Sequence, residues 1–184
     1  MRAICFVSKF AFLAVLTIPA FAQQFSPADN LAPYIPSPQV VVDRMLELAR
    51  IKPGETVYDL GSGDGRILIT AAQKFRAKAV GIEMSPELCK FTTAKIEKLG
   101  LQDQVKVMHA NLLRVDLSPA DVVTIYLLTS SNMRLRPNLE KYLRTGARVV
   151  SNDFEIRGWK PKEVVSMQIG NTQHTIYLYE IGKK

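Results

Sequence analysis

Three glycines and two carboxylates fall within eight residues, Asp59-Leu60-Gly61-Ser62-Gly63-Asp64-Gly65-Arg66. The alternating Gly61, Gly63 and Gly65 let a backbone turn sharply and approach a ligand with no Cβ in the way. A dinucleotide site needs Gly-x-Gly-x-x-Gly to seat a pyrophosphate on a helix N-terminus. This turn is Gly-x-Gly-x-Gly instead, and the carboxylates of Asp59 and Asp64 would repel a pyrophosphate. S-adenosylmethionine (SAM) has no phosphate and presents an ammonium and a sulfonium, both of which carboxylates favour. The loop, with Ser62 inside it, is therefore read as a SAM site rather than as a plain glycine connector.

Glu83 lies 24 residues after Asp59, at the end of Ala79-Val80-Gly81-Ile82-Glu83-Met84. A carboxylate there, with Met84 beside it, can accept hydrogen bonds from both hydroxyls of a ribose. The competing reading is a helix N-terminal charge, although Ser85 already supplies a cap. In His109-Ala110-Asn111-Leu112-Leu113, Asn111 reads equally as a contact to the adenine edge or as an ordinary loop residue, with Leu112 covering the adenine face. His109 and His174 have no Cys or His spacing that suggests a metal and are expected to be structural.

The surrounding pattern supplies elements to position these groups. Ser37-Pro38 reads as a helix start with Ser37 as N-cap, and Val41, Met45 and Leu48, or Val42, Met45 and Ala49, form its apolar stripe. Thr56 to Gly61 reads as a strand running into the glycine turn and then into a helix over 67–75. Lys78 to Met84 is a second strand, and Ser85-Pro86-Glu87 opens a helix that stops at Gly100. Val105 to Ala110, Asp121 to Leu128 and Ala147 to Phe154 complete five strands, with a helix over 132–143 before the last. Val164 to Ile169 and His174 to Ile181, separated by Gly170-Asn171, read as a hairpin. The expected fold is α/β, a doubly wound, mostly parallel sheet with an antiparallel C-terminal hairpin, in one domain over 37–184.

On these motifs the chain resembles the seven-β-strand (class I) methyltransferases. It is closest in pattern to the small protein-lysine methyltransferases of the adenine nucleotide translocase and ATP synthase c-subunit type. The resemblance runs from Pro33 to Trp159 and rests on Tyr34-Ile35-Pro36-Ser37-Pro38, the glycine loop, Tyr126-Leu127-Leu128, Arg136-Pro137 and Val149-Val150-Ser151-Asn152-Asp153-Phe154. Asn111 stands where that family often has an acid, and Asn152 where it often has a histidine. A more distant resemblance, to the non-SET histone lysine methyltransferase, implies that Tyr34 and Ser37 contact the methionine part of SAM. Otherwise they are a core aromatic and a helix cap.

The resemblance implies a Rossmann-like fold and methylation of a lysine in a protein substrate. Tyr126, Asn152 and Asp153 then fall at strand ends where a lysine pocket would lie, with Asp153 as proton acceptor or as a simple strand-end turn. The fourth strand lacks the Asn/Asp-Pro-Pro-aromatic motif of enzymes that methylate planar nitrogens, and no nucleic-acid partner is expected. A small-molecule methyltransferase and a non-catalytic SAM-binding protein are the alternatives. Small-molecule enzymes often close their site with an extra helical lid, whereas only residues 23–36, read as an extended lead-in, precede the core here.

Of the 184 residues 47% are hydrophobic, with a net charge of +7. Arg2 and Lys9 precede an apolar run from Phe10 to Ile18, followed by Pro19 and Ala20-Phe21-Ala22. This is the pattern of a secretory signal peptide over 1–22, cleaved before Gln23. A membrane anchor is the alternative, but the run is nearer ten residues than the roughly 20 needed to span a bilayer. Cleavage removes two of the 24 basic residues and none of the 17 acidic ones, leaving +5, with Cys89 as the only cysteine. The basic residues from Arg134 onward form either a solvated face or a surface for anionic lipid or an acidic partner.

Overall fold

The computed structural model describes residues 34–182. The expected signal peptide, and the lead-in as far as Pro33, lie outside the described residues.

Helix α1 (Gln39–Leu48) buries Val41, Val42, Met45, Leu46 and Leu48, so one helical face is committed to the core. Ser37 is not its cap. Pro38 occupies that position with φ −54° and ψ 143°, and no side chain closes the helix end. There the Pro38 carbonyl accepts from the amides of Val41 and Val42. After α1 the chain alternates: β1 (Thr56–Leu60), α2 (Arg66–Phe75), β2 (Lys78–Glu83), α3 (Pro86–Lys98), β3 (Val105–His109), β4 (Val122–Ile125), α4 (Thr129–Tyr142) and β5 (Arg148–Asn152). The hairpin β6 (Glu163–Ile169) and β7 (Thr172–Glu180) ends it. Ser85 caps α3 through the Leu88 amide, with Pro86 at the first helical position.

The sheet order is β3-β2-β1-β4-β5-β7-β6. Strands β1 to β5 pair in parallel, and β7 runs antiparallel to both β5 and β6. The chain winds outward from β1 through β2 to β3, then returns to the other side of β1 with β4. The switch point is therefore between β1 and β4, where the carboxyl ends of neighbouring strands part and leave a crevice.

Helices cover both faces. On one, α1, α2 and α3 pack Met45, Leu46, Leu68 and Ile96 against Val57, Val122 and Val150. On the other, Leu135, Leu139 and Leu143 meet Ile125, Val149 and Tyr179. β4 is buried on both faces, as its apolar run requires, while the edge strand β6 alternates between half-buried and exposed. β4 ends at Ile125, three residues short of the expected Leu128. Its ladder pairs Ile125 with Leu60 and Ser151, and β1 ends there. Tyr126, Leu127 and Leu128 consequently leave the sheet and lead into α4, which starts at Thr129 rather than Asn132. The 3₁₀ turn at Leu112–Arg114 had no signal in the apolar pattern.

Candidate active site

The glycine loop is built by backbone geometry. Gly61, Gly63 and Gly65 have φ of 87°, 51° and 74°, in the left-handed region where side chains are strained. Their roles differ. A Cβ on Gly61 would meet only Leu127, at 3.7 Å, whereas one on Gly63 would lie 2.6 Å from the Tyr34 ring. A Cβ on Gly65 would lie 2.4 Å from Thr92 Cγ2 on α3. Gly65 therefore serves the packing of α2 on α3, and it does not line the cavity.

Several residues tie the loop down. Thr92 Oγ1 donates to the Gly63 carbonyl (2.8 Å), and Lys95 Nζ to that of Asp64 (3.3 Å). Arg66 grips the Asp64 carboxylate with two nitrogens (2.9 and 2.8 Å) and donates with a third to the Ser37 carbonyl (2.5 Å). This guanidinium joins the segment before α1 to the loop, and it holds the Asp64 carboxyl below the usual carboxylate range.

An open cavity of about 850 Å³, counting its mouth, lies over the carboxyl ends of β1, β2 and β4. Of the residues singled out in the sequence, Tyr34, Ser37, Asp59, Gly61, Ser62 and Gly63 line it. So do Glu83, Met84, Leu112 and Tyr126. Asn111 does not. It is buried, and its Oδ1 accepts from the Leu113 amide to cap the 3₁₀ turn (2.9 Å). Asn152 and Asp153 are also absent from the lining. Sequence reasoning passed over Ile35, Ile67, Ala110 and Leu127 in the lining. These apolar side chains match no chemical pattern, and only the topology brings them together.

The electrostatics suit a cationic ligand. Asp59 is 3% exposed and accepts from Thr124 Oγ1 at 2.7 Å. Burial pushes its carboxyl up to about 7, the Thr124 bond opposes this, and the charges of Glu83 and Asp64 add to it. Glu83 Oε2 accepts from the Gly63 amide (2.9 Å), and Oε1 from the amides of Met84 and Ser85 (2.8 Å each). A carboxylate oxygen has more than one lone pair, so Oε2 retains acceptor capacity toward the cavity. Buried Ser62 Oγ, in the lining, has no partner among the described residues. An orphaned hydroxyl, the carboxylates of Asp59 and Glu83 and a wall left bare at Gly61 fit SAM, whose ammonium Asp59 would meet and whose ribose Glu83 would hold, Asp64 being already paired with Arg66.

Beside the cavity, Tyr126 stacks on Phe154, with centroids 6.1 Å apart. Burial raises its hydroxyl above the ordinary tyrosine value, and so does the negative charge of the nearby Asp153 carboxylate. Tyr126 is thus a donor at neutral pH. Asp153 itself has φ 58°, and Asn152 is fully buried with neither polar side-chain atom partnered among the described residues. Much of the basic surface is internally engaged: Arg144 pairs with Asp121, Arg148 with Glu55 and Lys162 with Glu180.

A protein-lysine N-methyltransferase of Saccharolobus islandicus is 52% identical over 152 residues, 82% of this chain and 94% of that protein. The adenine nucleotide translocase lysine N-methyltransferase of Mus musculus is 32% identical over 168 residues, 91% of this chain and 70% of the relative. Among solved structures, one described as an RNA methyltransferase from Salinibacter ruber, in complex with S-adenosyl-L-homocysteine, is 42% identical. It superposes with a TM-score of 0.76, over 82% of this chain and 95% of that one. The ANTKMT methyltransferase domain matches residues 59–163, from the first carboxylate of the glycine loop to the start of β6. The chain belongs to that methyltransferase family.

Proposed function

We propose that the protein is a SAM-dependent protein-lysine N-methyltransferase. The observation that carries this reading is Tyr126, which lines the cofactor cavity and lies close to the Asp153 carboxylate just outside it. Bound SAM supplies an electrophilic methyl group whose carbon–sulfur bond breaks as the new nitrogen–carbon bond forms, the electron pair staying on sulfur. The chain's own groups prepare the nucleophile. Asp153 attracts the lysine ammonium and takes up the proton that must leave before nitrogen has a lone pair. Tyr126, half-buried against Phe154, keeps its proton, faces the carboxylate and walls the approach. The buried Asn152 amide, next in sequence, offers a donor and an acceptor that are not consumed within the described residues. Alignment of the amine with the methyl group provides the rest.

RNA is the second reading, favoured by the description of the 42% identical structure. Asp59 and Glu83 in the lining, with Asp153 beside it, oppose a phosphate backbone and suit a cation, while Asp64 and Arg66 offset each other. Tyr126-Leu127-Leu128-Thr129 also lacks the Pro-Pro-aromatic clamp for planar nitrogens. We further infer that residues 1–22 are removed and that the mature chain acts outside the cytoplasm, from Arg2, Lys9, the apolar run and Ala20-Phe21-Ala22. Anchoring by that segment is the alternative.

The test is transfer from methyl-labelled SAM to a cell-envelope protein extract and, in parallel, to total RNA. Label should appear on lysine, at a rate rising with pH as the amine deprotonates. Asp153→Asn and Tyr126→Phe should lower turnover roughly 10²-fold, a typical general acid–base contribution, with SAM affinity nearly unchanged. Label on RNA alone would reject the lysine assignment.

A further inference from the structure

The geometry points to His174, on the C-terminal hairpin, as a positioning residue for methyl transfer that holds the Asp153 carboxylate in place. This rests on the role given to Asp153 above. Asn152, the last residue of β5, pairs with Ile176, so β7 extends past β5 by the four residues Thr172 to Thr175. The hairpin thus overhangs the same end of the sheet as the cavity. Two consecutive residues of that overhang hold Asp153 by three bonds. The Asp153 amide donates to the Thr175 carbonyl (2.7 Å), Oδ1 accepts from the Thr175 amide (2.9 Å), and Oδ2 meets His174 Nδ1 (2.9 Å).

A carboxylate only accepts, so His174 Nδ1 carries the hydrogen of this bond and the orientation of the ring is fixed. The side chain of His174 is 8% exposed, and a buried imidazole is restricted to the partner its packing allows. The other histidine behaves differently, since His109 Nε2 meets the main-chain carbonyl of Met84. With Thr175 on one oxygen and His174 on the other, the carboxylate cannot rotate freely. Its remaining lone pairs are left for Tyr126 and an incoming ammonium. A positive φ at Asp153 is a conformation that surrounding contacts must impose, and these bonds impose it.

The test compares His174→Phe, His174→Asn and His174→Gln with Asp153→Asn, using labelled SAM and the envelope extract, SAM affinity by calorimetry and melting temperature. The Asn amide nitrogen falls where Nδ1 was, whereas Gln reaches toward Nε2. His174→Phe and His174→Gln should each lose at least tenfold in turnover at unchanged SAM affinity, and His174→Asn should recover to within threefold of the parent. Wild-type turnover in His174→Phe, or equal loss in folded His174→Asn and His174→Gln, overturns the positioning role while a slow Asp153→Asn keeps the Asp153 reading. Full activity in Asp153→Asn overturns that reading and the inference with it.

Discussion

Asp59 lies at the end of β1 with Glu83 and Asp64 close by and almost no water, and its carboxyl is raised to about 7. The folded protein holds that proton more tightly than the unfolded chain, so Asp59 lowers the stability of the free protein progressively as pH rises from about 4 to about 7. An ammonium in the cavity favours the ionised form and reverses the balance. SAM affinity should therefore fall about tenfold between pH 8 and pH 6, with proton release on binding at pH 6. Calorimetry in buffers of different ionisation heat measures both. Affinity that is independent of pH, with Asp59→Asn binding SAM as well as the parent, would remove Asp59 from the site. The glycine loop and Glu83 were legible because their signature is local, a few residues of fixed type after a strand. Thr92, Lys95 and His174 were not, because each meets its partner only through packing of elements 21 to 31 positions apart.

At the scale of elements, the loop works because α3 is pressed onto it. Gly65 occupies the N-cap position of α2 at φ 74° with its missing Cβ pointing at Thr92, whereas Gly54 has φ 83° and open space. Gly54→Ala should cost only the left-handed strain, about 1–2 kcal/mol. Gly65→Ala should add an overpacking cost of about 1–3 kcal/mol. Thr92→Ser deletes the clashing methyl but keeps the hydroxyl that bonds Gly63, so in the Gly65→Ala background it should recover most of that extra cost. Denaturant melts of the four proteins decide it. Equal losses at Gly54 and Gly65 would mean that α3 does not bear on the loop. Strand and helix identities followed from apolar spacing, which reports the face that an element buries. Boundaries did not, since β4 stops where β1 stops and Pro38, rather than Ser37, takes the cap position of α1.

For the molecule as a whole, export would impose a chemical condition, because the mature chain would meet an oxidising compartment with Cys89 as its single cysteine. No intramolecular disulfide can then form, and stability rests on the two apolar layers flanking the sheet. The thiol itself has to survive. It sits half-buried on α3, donates to the Glu83 carbonyl at 3.5 Å, and is pushed up to about 11 by burial first and by the Glu83 and Glu87 charges next. Only the thiolate reacts, so at pH 7.5 native Cys89 should alkylate about two orders of magnitude more slowly than in denaturant. Iodoacetamide labelling followed by intact-mass analysis measures that ratio. The same spectrum gives the processing site: protein recovered from the envelope fraction should begin at Gln23 and carry a free thiol. A species that retains Met1 and sediments with membranes would replace export by anchoring. Native labelling as fast as in denaturant would mean that burial by α3 does not protect the thiol, and that the chain needs another defence against oxidation.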